Sequence, residues 1–393
     1  MTTTLSLRQR LADELVDNGT IHNPWVRQAF AEIPREVFVP CFHRPYPDDG
    51  LLDGADPLQH DEWLTEVYTD QALVVQYTAA PDMPGAGAPT SSSSQPTVMA
   101  GMLEALELQP GHRVLEIGTG TGYHTALLCH RVGAANVTSI ELDPALAGAA
   151  RDALARIGLH PSVHIGDGAA GLASAAPFDR IIATAAADHI PGAWIDQLAP
   201  SGAIVVDLRG SLSGRLIRLS ATQHPEIDTV HGRFLPLPGA FMPLRTRTDR
   251  PYRDDEDWDT VLYDHRNPQR TTTHVNPWLV NDNPTLRLLT QLHLAGHRVR
   301  LACHTGPTAE LTGRATDTSW FTTSLDPDDK GHHTVEQAGP RRLWDTIEAA
   351  HTTWRRLGEP RVEQFGVTAT NDINYQYVWY DHPDSGYRWP LPL

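Results

Sequence analysis

The stretch Val114-Leu-Glu-Ile-Gly-Thr-Gly-Thr-Gly-Tyr-His124 constrains the fold of this chain more than any other. Val114 to Ile117 is a short apolar run of the kind that makes a buried parallel strand. Gly118, Gly120 and Gly122 follow at alternate positions, and then the helix-forming run from Thr125 to His130. A strand, a glycine turn and a helix start bring free backbone N–H groups and the positive end of a helix to one point. Glycine lets the backbone turn sharply there and come close to a ligand. Nineteen residues beyond Gly122, Val137-Thr-Ser-Ile-Glu-Leu-Asp143 reads as the next strand, with Glu141 at its end. An acid in that place can accept both hydroxyls of a ribose. Glycines alone would fit a tightly packed loop equally well; strand, glycines and spaced acid together point to a nucleoside site.

The spacing GxGxG, rather than GxGxxG, leans away from a pyrophosphate and towards S-adenosylmethionine, which carries an amino-acid tail and no phosphate. The wording from Val114 to Tyr123 closely resembles the cofactor loop of the protein-L-isoaspartyl O-methyltransferases. Three further segments match that family in order: Ile33-Pro-Arg-Glu-Val-Phe-Val-Pro40, Ser94-Gln-Pro-Thr-Val-Met-Ala100, and Gly166-Asp-Gly168 with Phe178-Asp-Arg-Ile-Ile-Ala-Thr-Ala-Ala186. The resemblance spans roughly residues 5–245. It implies an α/β, Rossmann-like class I S-adenosylmethionine-dependent methyltransferase in residues 1–248, with S-adenosylmethionine as cofactor.

The resemblance also implies which residues form the site. Cofactor contacts fall on Glu116, Gly118, Thr119, Gly120, Gly122, Tyr123, Glu141, Leu142, Gly166, Asp167, Gly168 and Thr184. Asp167 would accept the adenine amino group; the plainer reading of Asp-Gly is a surface turn. Ser94 aligns with the family's serine whose hydroxyl contacts the substrate carboxylate, and Gln95 and Thr97 complete that pocket. The family usually has an aromatic residue after the proline, so Thr97 is a departure on the substrate side. Ser91 to Ser93 read as a flexible loop tip.

Along the chain, Leu5, Leu11, Leu15 and Val16 give a helix over 5–18, and Pro24 opens a second one to Glu32. Residues 42–90 are rich in proline and glycine and read as a substrate-side insertion, mostly loop, with one strand at 71–77. A helix follows over 97–108. Strands are expected at 113–117, 136–140, 162–165, 179–184 and 203–207, and alternation with helices describes a parallel sheet covered on both faces. The charged, proline-broken stretch 249–257 reads as a linker. Residues 258–393 hold seven tryptophans and are long enough for a smaller C-terminal α+β domain with its own core. Helices are expected there at 283–294 and 340–357, and strands at 297–303 and 361–367. In the run Tyr375-x-Tyr377-x-Trp379 one face would point inward, leaving Gln376, Val378 and Tyr380 outward.

A net charge of −17, with Lys330 the sole lysine, speaks against a nucleic-acid partner. Three widely spaced cysteines, Cys41, Cys129 and Cys303, fit reduced thiols. No apolar run reaches membrane-spanning length, so no membrane partner is expected and the expected location is cytoplasmic. The 20 histidines contain no HExxH, His332-His333 is an exposed-looking pair, and no metal site is expected. Gly210-Ser-Leu-Ser-Gly214 lacks the central serine of a hydrolase elbow.

A carboxylate is ionised at neutral pH, so methylation needs alignment and no general base. The resulting ester is the better electrophile; the next backbone nitrogen can displace methanol and close a succinimide. The expanded 42–90 segment and the tryptophan-rich tail favour one dedicated partner. The layout resembles the family branch that acts on an L-aspartate of a ribosomally made, macrocyclic peptide (a graspetide), giving aspartimide or isoaspartate. The peptide substrate would then be a cyclised precursor. General repair of L-isoaspartate is the alternative, and a cofactor-binding adaptor without turnover is the alternative of another class.

Overall fold

The computed structural model describes residues 3–44, 50–77, 87–222, 229–245, 263–264, 267–294, 296–306 and 309–392. Helix Thr4–Asp17 forms as expected, but its buried face is Leu7, Leu11, Ala12 and Leu15. Leu5 and Val16 flank that stripe and are exposed. Helix Pro24–Glu32 starts where proline and the Asn23 cap dictate: the Asn23 side chain accepts from Trp25 N.

The segment read as loop is a small antiparallel sheet. It contains β1 (Cys41–His43), β2 (Leu51–Asp53), helix His60–Val67, β3 (Leu73–Tyr77) and β4 (Pro89–Ser93), in the strand order β2-β1-β3-β4. Strands three residues long, such as β1 and β2, carry no readable alternation, and β4 is mostly serine; only β3 was legible. Ser91 to Ser93 are strand residues paired to β3, and Ser91 and Ser93 are buried. Residues 45–49 and 78–86 of that segment lie outside the described residues.

Helix Pro96–Leu106 leads into the central sheet. Its Gly101 lies so close to the sheet that a Cβ would come within 2.0 Å of Leu237 Cδ1. The expected strands appear as β5 (Val114–Ile117), β6 (Val137–Glu141), β7 (Ser162–Ile165), β8 (Phe178–Ala187) and β9 (Leu198–Arg209). All four pairings among them are parallel. β10 (Gly214–Ala221) and β11 (Thr229–Pro238) continue the sheet antiparallel. This is the Rossmann-like architecture expected of a class I methyltransferase.

The C-terminal region is α+β and also reaches back into the central sheet. β12 (Gln269–Thr273), β13 (Val299–His304), β14 (Glu310–Ala315), β15 (Trp320–Ser324) and β16 (His333–Ala338) form an antiparallel sheet in the order β12-β16-β15-β14-β13. Helices Pro284–Leu294 and Leu343–Arg356 accompany it. Then β17 (Phe365–Thr370), β18 (Tyr377–Tyr380) and β19 (Arg388–Pro390) complete a ten-stranded sheet, β19-β18-β17-β11-β10-β9-β8-β5-β6-β7. β17 pairs with β11 from Thr229↔Thr370 to Arg233↔Gly366. Glycines keep β11 close to both neighbours: a Cβ on Gly366 would lie 2.3 Å from Gly232 O across that seam, and one on Gly232 would lie 1.8 Å from Arg218 O of β10.

A C-terminal core of its own is therefore not what forms. One apolar cluster joins Leu115, Ile181, Ile204 and Phe234 to Leu289, Phe321, Trp344 and Val367. The expected linker 249–257 lies outside the described residues. The alternation at the C-terminus is also reversed at three of its six positions: Gln376 and Val378 are buried, and Tyr375 is exposed. Tyr375 belongs to a 3-10 turn that precedes β18, so the strand register starts later than the sequence suggested. Trp379 is buried as expected. No described helix is long and apolar enough to cross a membrane.

Candidate functional site

The glycine loop joins β5 to helix Tyr123–Val132 at the carboxyl end of the parallel strands. Gly118, Gly120 and Gly122 all have positive φ, at 91°, 53° and 86°, a region that favours glycine. At Gly118 a Cβ would also sit 3.0 Å from Thr184 Oγ1. Four of the loop's amides are not free, contrary to the sequence expectation. Gly118 N and Thr119 N donate to Ile140 O, Gly122 N donates to Thr119 O, and Gly120 N donates to Glu141 Oε2. A loop that has used its N–H groups offers no phosphate cradle. That agrees with the GxGxG spacing and with a ligand that has no phosphate.

Glu141 ends β6 and is buried; Asp143 N donates to its other oxygen at 3.1 Å. Each carboxylate oxygen keeps a second lone pair for a ligand hydroxyl. Thr184 Oγ1 donates to Gly118 O at 2.6 Å, tying β8 to the loop.

One cavity collects most of the expected site. Ser94, Gln95, Gly118, Thr119, Gly120, Tyr123, Glu141, Leu142, Gly168 and Thr184 line it. Thr97, Glu116, Gly122, Gly166 and Asp167 are not among its lining residues. Gly122 and Gly166 shape the backbone behind it: Gly122 packs against Ala150, and Gly166 N donates to Glu141 O. Asp167 Oδ1 accepts from Ala169 N and caps the short 3-10 turn 168–170, the turn role given above as the plainer reading. Thr97 instead faces Asp70, to which its N and Oγ1 both donate, at 2.8 and 2.7 Å. Glu116 is wholly buried behind the wall, accepting from His124 Nδ1, Thr125 Oγ1 and Ser139 Oγ.

The Ser94 side of the cavity is held from a distance. Arg35, in the expected Ile33-to-Pro40 motif, is fully buried beneath it. Its guanidinium donates to Ser93 Oγ and to the carbonyls of Val67, Thr69, Gln71, Ser93 and Ser94, at 2.9–3.4 Å. Burial lowers its pKa to about 10, so it remains a cation at neutral pH. The stack continues into Tyr123, whose ring centroid lies 5.8 Å from the guanidinium carbon and whose flanks are Phe30 and Phe38. Gln95 Nε2 donates to Asp70 Oδ2 at 3.2 Å.

Sequence reasoning missed the third wall, Ala240 to Arg245. It is stitched to the end of β8, with Ala186 N donating to Met242 O and Leu244 N to Ala186 O. Buried Asp207 accepts from Phe241 N. No periodicity marks such a segment; only its place after the closing strand could have drawn attention to it. A polar bridge runs from Arg245 through Thr90 and Gln76 to Asp143. Thr90 Oγ1 donates to Gln76 Oε1, Gln76 Nε2 donates to Asp143 Oδ2, and Arg245 Nη2 donates to Thr90 O. His333 proves buried, with Nδ1 on Ser324 O, and the described residues contain no cluster of three metal-ligating side chains.

The sequence model of the family described as Protein-L-isoaspartate(D-aspartate) O-methyltransferase matches residues 6–239. Similar proteins include Protein-L-isoaspartate O-methyltransferase 1 of Anaeromyxobacter sp. (strain Fw109-5), 39% identical over 56% of this chain and 91% of that protein. Protein-L-isoaspartate O-methyltransferase of Anaeromyxobacter dehalogenans (strain 2CP-1 / ATCC BAA-258) is 46% identical over 50% of this chain and 92% of its own length. Among solved structures, a protein-L-isoaspartate O-methyltransferase is similar in fold with a TM-score of 0.51 at 22% identity, over 95% of this chain and 100% of that one.

Proposed function

We propose the activity of this chain from the family to which it belongs, the protein-L-isoaspartate (D-aspartate) O-methyltransferases. It transfers a methyl group from S-adenosylmethionine to the free α-carboxylate of an L-isoaspartyl residue in a protein or peptide. The observation that carries this reading is a single cavity lined by Gly118, Gly120 and Glu141 on one side and by Ser94 and Gln95 on the other.

The bound cofactor supplies an electrophilic methyl on a sulfonium. Glu141 is placed to accept ribose hydroxyls. The glycine loop, with its own amides occupied, gives close backbone approach without an anion hole. Ser94 and Gln95 are placed to donate to the acceptor carboxylate, which needs no base because it is already ionised. Their work is alignment, worth several kcal/mol when reacting atoms are held about 3–3.5 Å apart.

A second reading keeps the ordinary L-aspartate of a constrained, ribosomally made peptide as the acceptor. It is favoured by the length beyond residue 239, which the family match does not include. That length carries less weight than the sequence suggested. A solved isoaspartate methyltransferase structure shares the fold over 95% of this chain, so an added region is compatible with the first reading.

The test uses full-length protein, labelled cofactor and two peptides of one sequence, with L-isoaspartate or L-aspartate at a single site, the latter linear and macrocyclised. Base-labile methyl ester on the isoaspartyl peptide is the expected result. Ester only on the cyclised aspartyl peptide transfers the proposal to the second reading. No ester on any of them, with cofactor bound, leaves a binding protein without turnover.

A further inference from the structure

We propose that His124 is a ligand-binding group of this cavity, whose Nε2–H donates to a carboxylate of one of the two reactants. The inference rests on the methyltransferase reading above. His124 stands in the first turn of helix Tyr123–Val132 and lines the cavity, yet is only 5% exposed. Its Nε2 is buried without a hydrogen-bond partner. A polar atom so placed costs stability unless something completes it. A residue that lines the cavity thus keeps one ring nitrogen incomplete.

The chemistry of the missing partner follows from the other side of the ring. Nδ1 lies 2.8 Å from Glu116 Oε1, and Glu116 is 0% exposed. The remaining partners of that carboxylate are the hydroxyls of Thr125 and Ser139, which carry no charge. A carboxylate taken fully out of water calls for a cation, and among the described residues His124 is its ion-pair partner. Paired to Glu116 as its cation, the imidazole offers Nε2–H as a charge-assisted donor to a ligand. The complementary ligand group is an anion. Two carboxylates enter this site: one on the amino-acid tail of the cofactor, one on the acceptor residue. The same buried network runs on through Ser139 to Thr119 of the glycine loop, so the donor is fixed in place by the cofactor wall itself.

The test compares wild type, His124→Leu, and the pair Glu116→Gln with His124→Leu, which leaves no stranded buried carboxylate. Calorimetry measures the binding of S-adenosylhomocysteine and of its decarboxylated analogue; steady-state kinetics measure KM for an isoaspartyl peptide. If the cofactor tail is the partner, wild type prefers the carboxylate-bearing compound by about tenfold or more, and both variants lose that preference. If the acceptor is the partner, cofactor affinities stay put and the peptide KM rises by about tenfold in both variants. Unchanged preference together with unchanged KM overturns the inference. So does an equal loss for both adenosyl compounds, which would mean only a damaged loop. A wild type that binds neither compound overturns the functional reading and this inference with it.

Discussion

The two facing walls of the cavity are built by opposite means. The proposed cofactor wall is local: β5, the glycine loop, the helix after it and Glu141 lie within 28 residues, and the amides of Gly118, Thr119 and Gly120 are satisfied by Ile140 and Glu141 next door. The proposed acceptor wall is assembled at long range. Ser93 and Ser94 are held by Arg35, 58 and 59 residues away, and Thr97 by Asp70, 27 residues away. A local wall survives damage elsewhere. A wall hung from one buried cation should fail as a unit when that cation is removed.

Arg35→Met tests this most severely. It strands five carbonyls and a hydroxyl that now share one guanidinium, at a cost of about 3–5 kcal/mol. Urea unfolding should show that loss, and turnover should collapse, while the folded fraction binds S-adenosylhomocysteine within about threefold of wild type. Equal losses of cofactor affinity and turnover would erase the distinction between the walls. Glu141→Ala is the mirror experiment: calorimetry should show cofactor affinity weakened by about 1.5–3 kcal/mol, with an acceptor KM near wild type at saturating cofactor. Ser94→Ala should leave cofactor affinity intact and lower kcat/KM for the isoaspartyl peptide by about tenfold, near 1.4 kcal/mol, because the acceptor loses its alignment. Normal turnover would reduce Ser94 to scaffolding. Gln76→Ala, which opens the bridge to Asp143, should have the smallest effect, with about twofold to fivefold faster release of S-adenosylhomocysteine by stopped flow.

The same contrast explains what could be read from the sequence. β5 to β9, Gly118 to Gly122 and Glu141 were legible because period, spacing and chemistry sit in one short window. Ser94 was legible only through resemblance to a family. That Arg35 supports it could not be read, since nothing local links residue 35 to residue 94. Thr97 was assigned to the substrate and turns out to face Asp70; a hydroxyl next to a proline gives no hint of its partner. The run from Ser91 to Ser93 looked like a solvated tip because serine is a weak strand former, yet pairing with β3 buries two of its three members. β17 to β19 were partly visible as strands, but sequence alone does not say which edge a strand will join.

The β11–β17 seam has a consequence in time. β11 ends at Pro238 and its partner begins at Phe365. During synthesis, at about 5–20 residues per second, the parallel half of the sheet is out of the ribosome for roughly 6–25 s before the strand that covers its edge exists. Through that interval β11 presents open N–H and C=O groups beside Phe234 and Val230, whose apolar cover also comes from later residues. The nascent chain thus passes through a stage in which its cofactor-binding half is complete in sequence but has a sticky margin. Slow emergence of residues 239–364 prolongs that exposure, so synonymous changes that alter the pace of that stretch should change the yield of soluble protein without changing a single side chain.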